Sequence, residues 1–198
     1  MQFGLKTSLT FFAATVCLAM PPMFPVQAQS AVQSVPFVDL KLYTGSWYEI
    51  ASFETMFQDR DCAGTSATYT LNPDGTIKVW NQCYVPTFNG YRLDRIEGRA
   101  WVAEPNSQAR LKVSFFGPFE GDYWVLALDE NYQYALVGAP NRNYLWVLSR
   151  DPVMSESVYQ SLLDTARSQG FDVSRLRLTP SREQGLNQGS ARANSQVR

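Results

Sequence analysis

The chain has 198 residues, of which 45% are hydrophobic and 18% charged, so it fits one packed domain and excludes a disordered, collagenous or multi-span membrane protein. Its formal net charge of −1 lacks the basic excess of nucleic-acid-binding proteins, so no nucleic acid partner is expected. The absence of histidine from the sequence excludes Ser-His-Asp and Cys-His catalysis and His-ligated zinc or haem.

The N-terminal segment Met1–Ala28 is predicted to be a secretory signal peptide. A single lysine precedes the apolar run Leu9–Met20, and small residues flank a cleavage position after Ala28. This run is shorter than the ~20 residues of a transmembrane helix, which argues against an anchor. Cys17 raises the alternative of an outer-membrane lipoprotein, but the branched Val16 before it does not fit lipid attachment. We therefore expect an exported protein that is periplasmic or secreted.

The rest of the chain divides by composition into three parts. The C-terminal residues are rich in Ser, Gln, Asn, Arg and Gly and contain almost no apolar side chains, which is typical of disorder. The predicted organisation after the signal segment is a linker at 29–36, one domain at 37–180 and a disordered tail at 181–198.

Within the domain, short segments of β-branched and aromatic residues alternate with turn residues every 8 to 15 positions. This is the pattern of an antiparallel sandwich or barrel. Asn72-Pro73-Asp74-Gly75 predicts the turn of a hairpin, with proline and glycine at the positions that they favour. The predicted strands are Trp47–Phe53, Ser66–Leu71, Thr76–Asn81, Leu93–Val102, Ala109–Phe116, Tyr123–Leu128, Tyr134–Val137 and Tyr144–Ser149.

Two cysteines remain after the signal segment, Cys62 and Cys83. In an oxidising compartment such a pair is more often a disulfide than a reactive site. Folding the hairpin about its turn brings Cys83 near Gly64, within backbone reach of Cys62. The competing interpretation, a reactive thiol, needs a basic neighbourhood, whereas Arg60 stands between two aspartates. We therefore predict a disulfide.

After the strands, the chain is predicted to form one helix, Glu156–Gln169. Ser155 precedes it as an N-cap, Gly170 follows as a C-cap, and its apolar residues fall on one face. Leu176–Leu178 is predicted to be a last strand that returns to the barrel. The predicted fold is all-β: an eight-stranded antiparallel up-and-down barrel with one C-terminal α-helix and a short final strand.

The sequence shows no catalytic or metal-binding constellation. Its acidic residues form no pair at a defined spacing on one element, so general acid–base catalysis has no specific signal. Gly117–Gly121 looks like a phosphate-binding loop, but it joins two strands and no helix follows it, so we interpret it as a turn. No cofactor and no metal are expected.

Four segments of the domain resemble lipocalins, most of all the bacterial subgroup related to apolipoprotein D and plant temperature-induced lipocalins. The first contains Gly45-Ser46-Trp47, the Gly-x-Trp signature, after Val38-Asp39-Leu40. The others are Val113–Phe119, Leu128–Val137 and the arginine-ended Tyr144–Arg150. These segments occur in order, and the residue pattern of the chain independently predicts eight strands followed by a helix. The resemblance is therefore specific.

The resemblance implies a lipocalin calyx closed at one end by the N-terminal segment. In it, Arg150 stacks on Trp47, and this cation–π contact is worth roughly 0.5–2 kcal/mol. Gly45 is the third residue of this structural signature. Matching each strand to the family pattern predicts that nine side chains point into the lumen. Each of them fits a role in filling the core as well as a role in contacting a ligand. They are Ala67, Tyr69, Val79, Asn81, Ile96, Phe115, Tyr123, Trp146 and Leu148.

The function that this resemblance implies is binding, storage or transport of a small hydrophobic ligand, a fatty acid or lysophospholipid, related to envelope lipid maintenance. The resemblance then implies that the protein is not an enzyme. It is expected to be a monomer or weak homodimer and to associate peripherally with a membrane. An alternative is a lipocalin-fold isomerase or de-epoxidase acting on a lipid, with Glu49, Tyr69, Tyr123 or a free cysteine as its acid or base. A transmembrane barrel is disfavoured by the helix, the polar tail and several short strands.

Overall fold

The computed structural model describes residues 30–55, 58, 60–88, 90–185 and 187. The predicted signal segment, with Cys17, and residues 188–198 of the predicted tail lie outside the described residues. In the part of the chain that the structure describes, no helix is long and apolar enough to cross a membrane.

The described residues contain the predicted eight-stranded antiparallel barrel, which confirms the fold class. The strands lie side by side from β2 to β8, and β1 closes the barrel by pairing with both β8 and β2. Their bounds are β1 Gly45–Phe53, β2 Ala63–Leu71, β3 Ile77–Thr87, β4 Gly90–Val102, β5 Arg110–Phe116, β6 Phe119–Leu128, β7 Tyr134–Gly138 and β8 Leu145–Ser149.

The hairpin of β2 and β3 turns where the sequence predicts. Gly75 has a φ of +82°, which glycine adopts without strain, and its N–H donates to the carbonyl of Asn72 at 3.0 Å. Asp74 Oδ1 accepts from the backbone N–H of Thr76 at 2.9 Å. The predicted disulfide is also confirmed: Cys62 and Cys83 are bonded, with Cα atoms 5.4 Å apart.

The hairpin of β3 and β4 is longer than predicted. Pairing runs without interruption from Ile77 opposite Ala100 to Thr87 opposite Gly90. Pro86 does not end β3, because a strand tolerates proline where its missing N–H is not needed by the ladder. The two strands therefore extend above the rest of the barrel wall, since β4 pairs with β5 only from Arg99 to Val102.

Helix α2, Glu156–Ser168, follows the barrel as predicted and packs on its outside. The Ser155 hydroxyl accepts from the N–H of Val158 and caps the helix. Its apolar face is buried against the outer side of β6 to β8, around Leu136 and Val147. Strand β9, Leu176–Leu178, then pairs with the second half of β1.

A β-bulge in β1 changes which side of the barrel wall its alternate residues face. Glu49 pairs with Leu148, whereas Ala51 pairs with Val147, so Ile50 is the extra residue. Before the bulge, Trp47 and Glu49 share the inner face. After it, Ala51 points outward into the cluster beneath α2.

The residues after β9 line the seam where β1 and β2 separate. The N–H of Thr179 donates to the carbonyl of Ile50 at 3.0 Å, and the N–H of Gly64 donates to the carbonyl of Pro180 at 2.8 Å. The predicted tail thus begins with a helical turn over 182–185 that lies against the barrel. Disorder of 188–198 stays a prediction.

Candidate ligand-binding site

The base of the barrel is closed by an arginine that stacks on a buried tryptophan. The guanidinium carbon of Arg150 lies 3.9 Å from the centre of the Trp47 ring, which is fully buried. Its two terminal nitrogens donate to backbone carbonyls of the chain that enters β1, among them Ser46 at 2.8 Å and Leu42 and Thr44 at 2.9 Å. Its Nε donates to the carbonyl of Tyr132 at 3.2 Å. This is the arrangement that the resemblance implies, and it ties the N-terminal segment to the barrel.

A short helix, α1 (Leu40–Tyr43), completes the base. Asp39 caps it by accepting from the N–H of Lys41 at 2.8 Å, and Leu40 and Tyr43 are buried inside the barrel end. The indole N–H of Trp47 donates to the carbonyl of Tyr43 at 2.9 Å. Val38 and α1 therefore plug one end of the barrel, whereas Val32 of the predicted linker packs in the outer cluster beneath α2.

The strand register places the nine predicted lumen residues on the inner face. Residues directly opposite each other in neighbouring strands share a face. One row therefore passes from Trp47 through Ala67 and Asn81 to Ile96. Further rows join Tyr69 to Val79, Leu111 to Tyr123, Val137 to Trp146, and Ala135 to Leu148. Phe115 follows the outward Ser114 and packs on the inner apolar cluster.

Exposure along this inner face changes from base to mouth. Near the base the side chains are buried, as Val79 and Leu148 show with 2% and 5% exposure. Higher up, inner-face side chains are partly exposed, although they point into the barrel. The packed base thus gives way to a partly exposed upper inner face, which we call the cup. The partly exposed residues are Ala67, Asn81, Ile96, Phe115, Tyr123 and Trp146.

Three tyrosine hydroxyls form a group that sequence reasoning missed as a unit. The hydroxyl of Tyr123 lies 2.8 Å from that of Tyr43 and 3.0 Å from that of Tyr69, and we call the three the hydroxyl trio. Burial raises the pKa of all three phenols, to about 12 for Tyr69. The three tyrosines come from α1, β2 and β6, and α1 is too short to give a periodic signal in the sequence. Their hydroxyls approach each other only because the barrel closes.

Glu49 is a buried carboxyl on the inner face. Its Oε1 accepts from Thr179 Oγ1 at 2.6 Å, Ser52 Oγ at 3.1 Å and Gln58 Nε2 at 3.5 Å. Burial raises the pKa of this carboxyl, and the three hydrogen bonds oppose that rise. The enzymatic alternative keeps Glu49 and the tyrosines as candidate groups, but Cys62 and Cys83 are consumed by the disulfide and offer no free thiol.

Exposed aromatic side chains surround the mouth. Phe88, at the tip of the β3–β4 hairpin, is 86% exposed, and Phe119, after the β5–β6 turn, is 77% exposed. Phe116 beside it is 54% exposed. Gly117–Gly121 joins strand to strand here, as its interpretation as a turn requires. Among the described residues, no group of three or more Cys, Asp or Glu side chains is placed to hold a metal ion.

A closed eight-stranded barrel with a plugged base and an arginine stacked on a buried tryptophan is the architecture of a calyx. A family model described as a lipocalin-like domain matches residues 38–181 of this chain. The chain belongs to the lipocalin family. Lipocalins are generally binding or transport proteins, and membership suggests a small hydrophobic ligand.

Its relatives come from plants, bacteria and animals. The chain is 45% identical over 157 residues to temperature-induced lipocalin-1 of Arabidopsis thaliana, covering 75% of this chain and 82% of that one. It is 47% identical over 137 residues to the outer membrane lipoprotein Blc of Escherichia coli K12, with 69% and 76% covered. It is 31% identical over 150 residues to apolipoprotein D of Mus musculus, with 71% and 76% covered.

Solved structures show the same fold at lower identity. Insecticyanin from the tobacco hornworm Manduca sexta superposes with a TM-score of 0.60 at 23% identity, covering 77% of this chain and 85% of that one. Lobster apocrustacyanin A1 gives a TM-score of 0.55 at 15% identity, with 71% and 78% covered.

Proposed function

We propose that this lipocalin binds and carries a small hydrophobic ligand of the fatty-acid or lysophospholipid class in the cup above the hydroxyl trio. The observation that supports it is the partial exposure of inward-pointing apolar side chains, such as Phe115 and Trp146, above a packed base. An acyl chain of ~16 methylenes gains about 13 kcal/mol on leaving water at ~0.8 kcal/mol per methylene, from which ordering costs are subtracted. Such a surplus is sufficient for micromolar to nanomolar binding.

We infer further that the protein is exported and takes its ligand from envelope lipids. The predicted signal segment supports export, and the E. coli relative is named an outer membrane lipoprotein. The exposed Phe88, Phe116 and Phe119 at the mouth support peripheral contact with a membrane, because apolar side chains at the rim lose water on entering a lipid interface.

A cup-filling substitution tests the binding site. Ala67 points into the cup from β2, whereas Thr70 is exposed on the outer face of the same strand. We expect Ala67→Phe to weaken binding of a fluorescent fatty-acid probe at least tenfold, because the added ring takes ligand volume, and Thr70→Phe to leave it unchanged. Mass spectrometry of lipids that co-purify from the native host then names the ligand. If the delipidated wild-type protein binds neither fatty acid nor lysophospholipid, the proposal is wrong.

A further inference from the structure

The hydroxyl trio carries one more proton than its own hydrogen bonds use. Each phenol has one O–H donor, so Tyr43, Tyr69 and Tyr123 supply three protons. The two contacts within the trio use two of them, and the described residues provide no other acceptor for the third. Since burial raises the pKa of each phenol, the trio stays neutral and keeps this donor.

The spare donor faces the cup when Tyr123 holds it. Tyr43 and Tyr69 are buried at 5% and 9% exposure, whereas Tyr123 is partly exposed on the inner face. Tyr123 also contacts both of the other hydroxyls. If Tyr43 and Tyr69 both donate to it, its own proton is the one left without an acceptor among the described residues.

Asn81 adds a second unpaired polar group to the same wall. It follows Val79, the cross-strand neighbour of Tyr69, by one inner-face step, so it stands next above the trio. Its side-chain oxygen is buried without a hydrogen-bond partner, and no hydrogen bond from its side-chain nitrogen to a described residue is present. Because both ends of this carboxamide are unpaired, the conclusion does not depend on which way the amide is turned. An unpaired carboxamide on the inner face leaves its N–H available to donate to an acceptor atom of a ligand.

We propose that the cup recognises the carboxyl group of a long-chain carboxylic acid, which sits innermost against Tyr123 and Asn81 with its hydrocarbon chain toward the mouth. This inference rests on the proposed function and selects the fatty acid from its two ligand classes. Tyr123 donates through its hydroxyl and Asn81 through its side-chain N–H. The opposite orientation would leave both groups facing hydrocarbon, where neither finds a partner. The raised pKa of Glu49 limits its repulsion of a bound carboxylate.

Two conservative substitutions separate the two orientations. Tyr123→Phe removes only the hydroxyl, and Asn81→Leu replaces the carboxamide by an apolar side chain of similar size. With the carboxyl innermost, each weakens palmitate binding about tenfold, which is the loss expected for one hydrogen bond to a charged group. With the hydrocarbon innermost, Asn81→Leu tightens binding instead. Tyr48→Phe, on the exposed outer face of β1, is the matched control and leaves affinity unchanged.

A measurement on the wild-type protein keeps the test independent of how the variants fold. Palmitate labelled with ¹³C at its carboxyl is bound and titrated with acid and base. We expect the bound carboxyl resonance to stay unresponsive over a pH range in which free palmitate titrates. A carboxyl that titrates like the free acid, or variants that bind palmitate as well as wild type, overturns the inference while the carrier function stands. Wild-type protein that binds only lysophospholipid also overturns it. If the wild type binds neither lipid, the proposed function falls as well.

Discussion

Arg150 is expected to be among the side chains on which the stability of the barrel depends most. Its guanidinium lies 3.9 Å from the centre of the Trp47 ring and donates from three nitrogens to backbone carbonyls at 2.8 to 3.3 Å. Removing it leaves the ring without its cation and leaves carbonyls of the entering chain without donors.

The expected loss follows from these contacts. The cation–π contact is worth about 0.5–2 kcal/mol, and a hydrogen bond from a charged donor about 1.5–3 kcal/mol. Because Arg150 is partly exposed, water replaces some of the lost donors, and we count only one full hydrogen bond beside the ring contact. Arg150→Ala is then expected to lower the free energy of unfolding by about 3 kcal/mol, or Tm by about 6–12 °C for a domain of this size.

Chemical denaturation followed by tryptophan fluorescence measures this change. Arg150→Lys keeps the charge but not the planar fork, so it is expected to recover only part of the loss. The control is Arg99→Ala, since Arg99 is 63% exposed and pairs with Asp74 at 3.4 Å, a contact worth at most about 1 kcal/mol. If Arg150→Ala costs no more than Arg99→Ala, the base of the barrel is held by something other than this arginine.

Three further changes have distinct expected results. Since burial raises the pKa of Glu49, the folded state resists its ionisation, so wild type should lose stability relative to Glu49→Gln as pH rises from about 4.5 through the raised pKa. A stability difference between the two proteins that does not change with pH would contradict this. Replacing both Cys62 and Cys83 by serine should cost about 3 kcal/mol, because their 21-residue separation restricts the unfolded chain, and unchanged urea midpoints would refute it. Trp146→Ala should weaken acyl-chain binding about tenfold with little change in Tm; an unaltered titration midpoint would remove Trp146 from the site.

The features that the sequence predicted are those carried by local chemistry. The Asn72–Gly75 turn fixes one hairpin, and through it the approach of Cys62 to Cys83. The caps at Ser155 and Gly170 bound α2 to within one residue. Alternation along each strand, once aligned to the family pattern, was sufficient to place the nine predicted lumen residues on the inner face.

The features that it missed depend on contacts between distant segments. The residues around Ile50 give no sequence signal for a bulge. The bulge forms because the first part of β1 pairs with β8 in the barrel wall, whereas Ala51 after it packs beneath α2. Helix α1 is one turn long and is stabilised by Arg150 and Trp47, not by its own propensity. The predicted strand Thr76–Asn81 ends too early, because uninterrupted pairing with β4 extends β3 to Thr87.

The polar groups of the cup show why its selectivity is harder to predict than its shape. Alternation identifies Tyr69, Asn81 and Tyr123 as inward-pointing, yet the same pattern cannot distinguish a hydroxyl with two partners from a carboxamide with none. That difference arises because the Tyr43 hydroxyl enters from the plug and lies within hydrogen-bond distance of the Tyr123 hydroxyl, whereas no described residue hydrogen-bonds to the side-chain oxygen of Asn81. Among the described residues, the groups around Arg150 at the base are hydrogen-bonded, whereas the side-chain oxygen of Asn81 higher on the inner face is not. If the proposed site is correct, stability and recognition depend on different levels of the barrel.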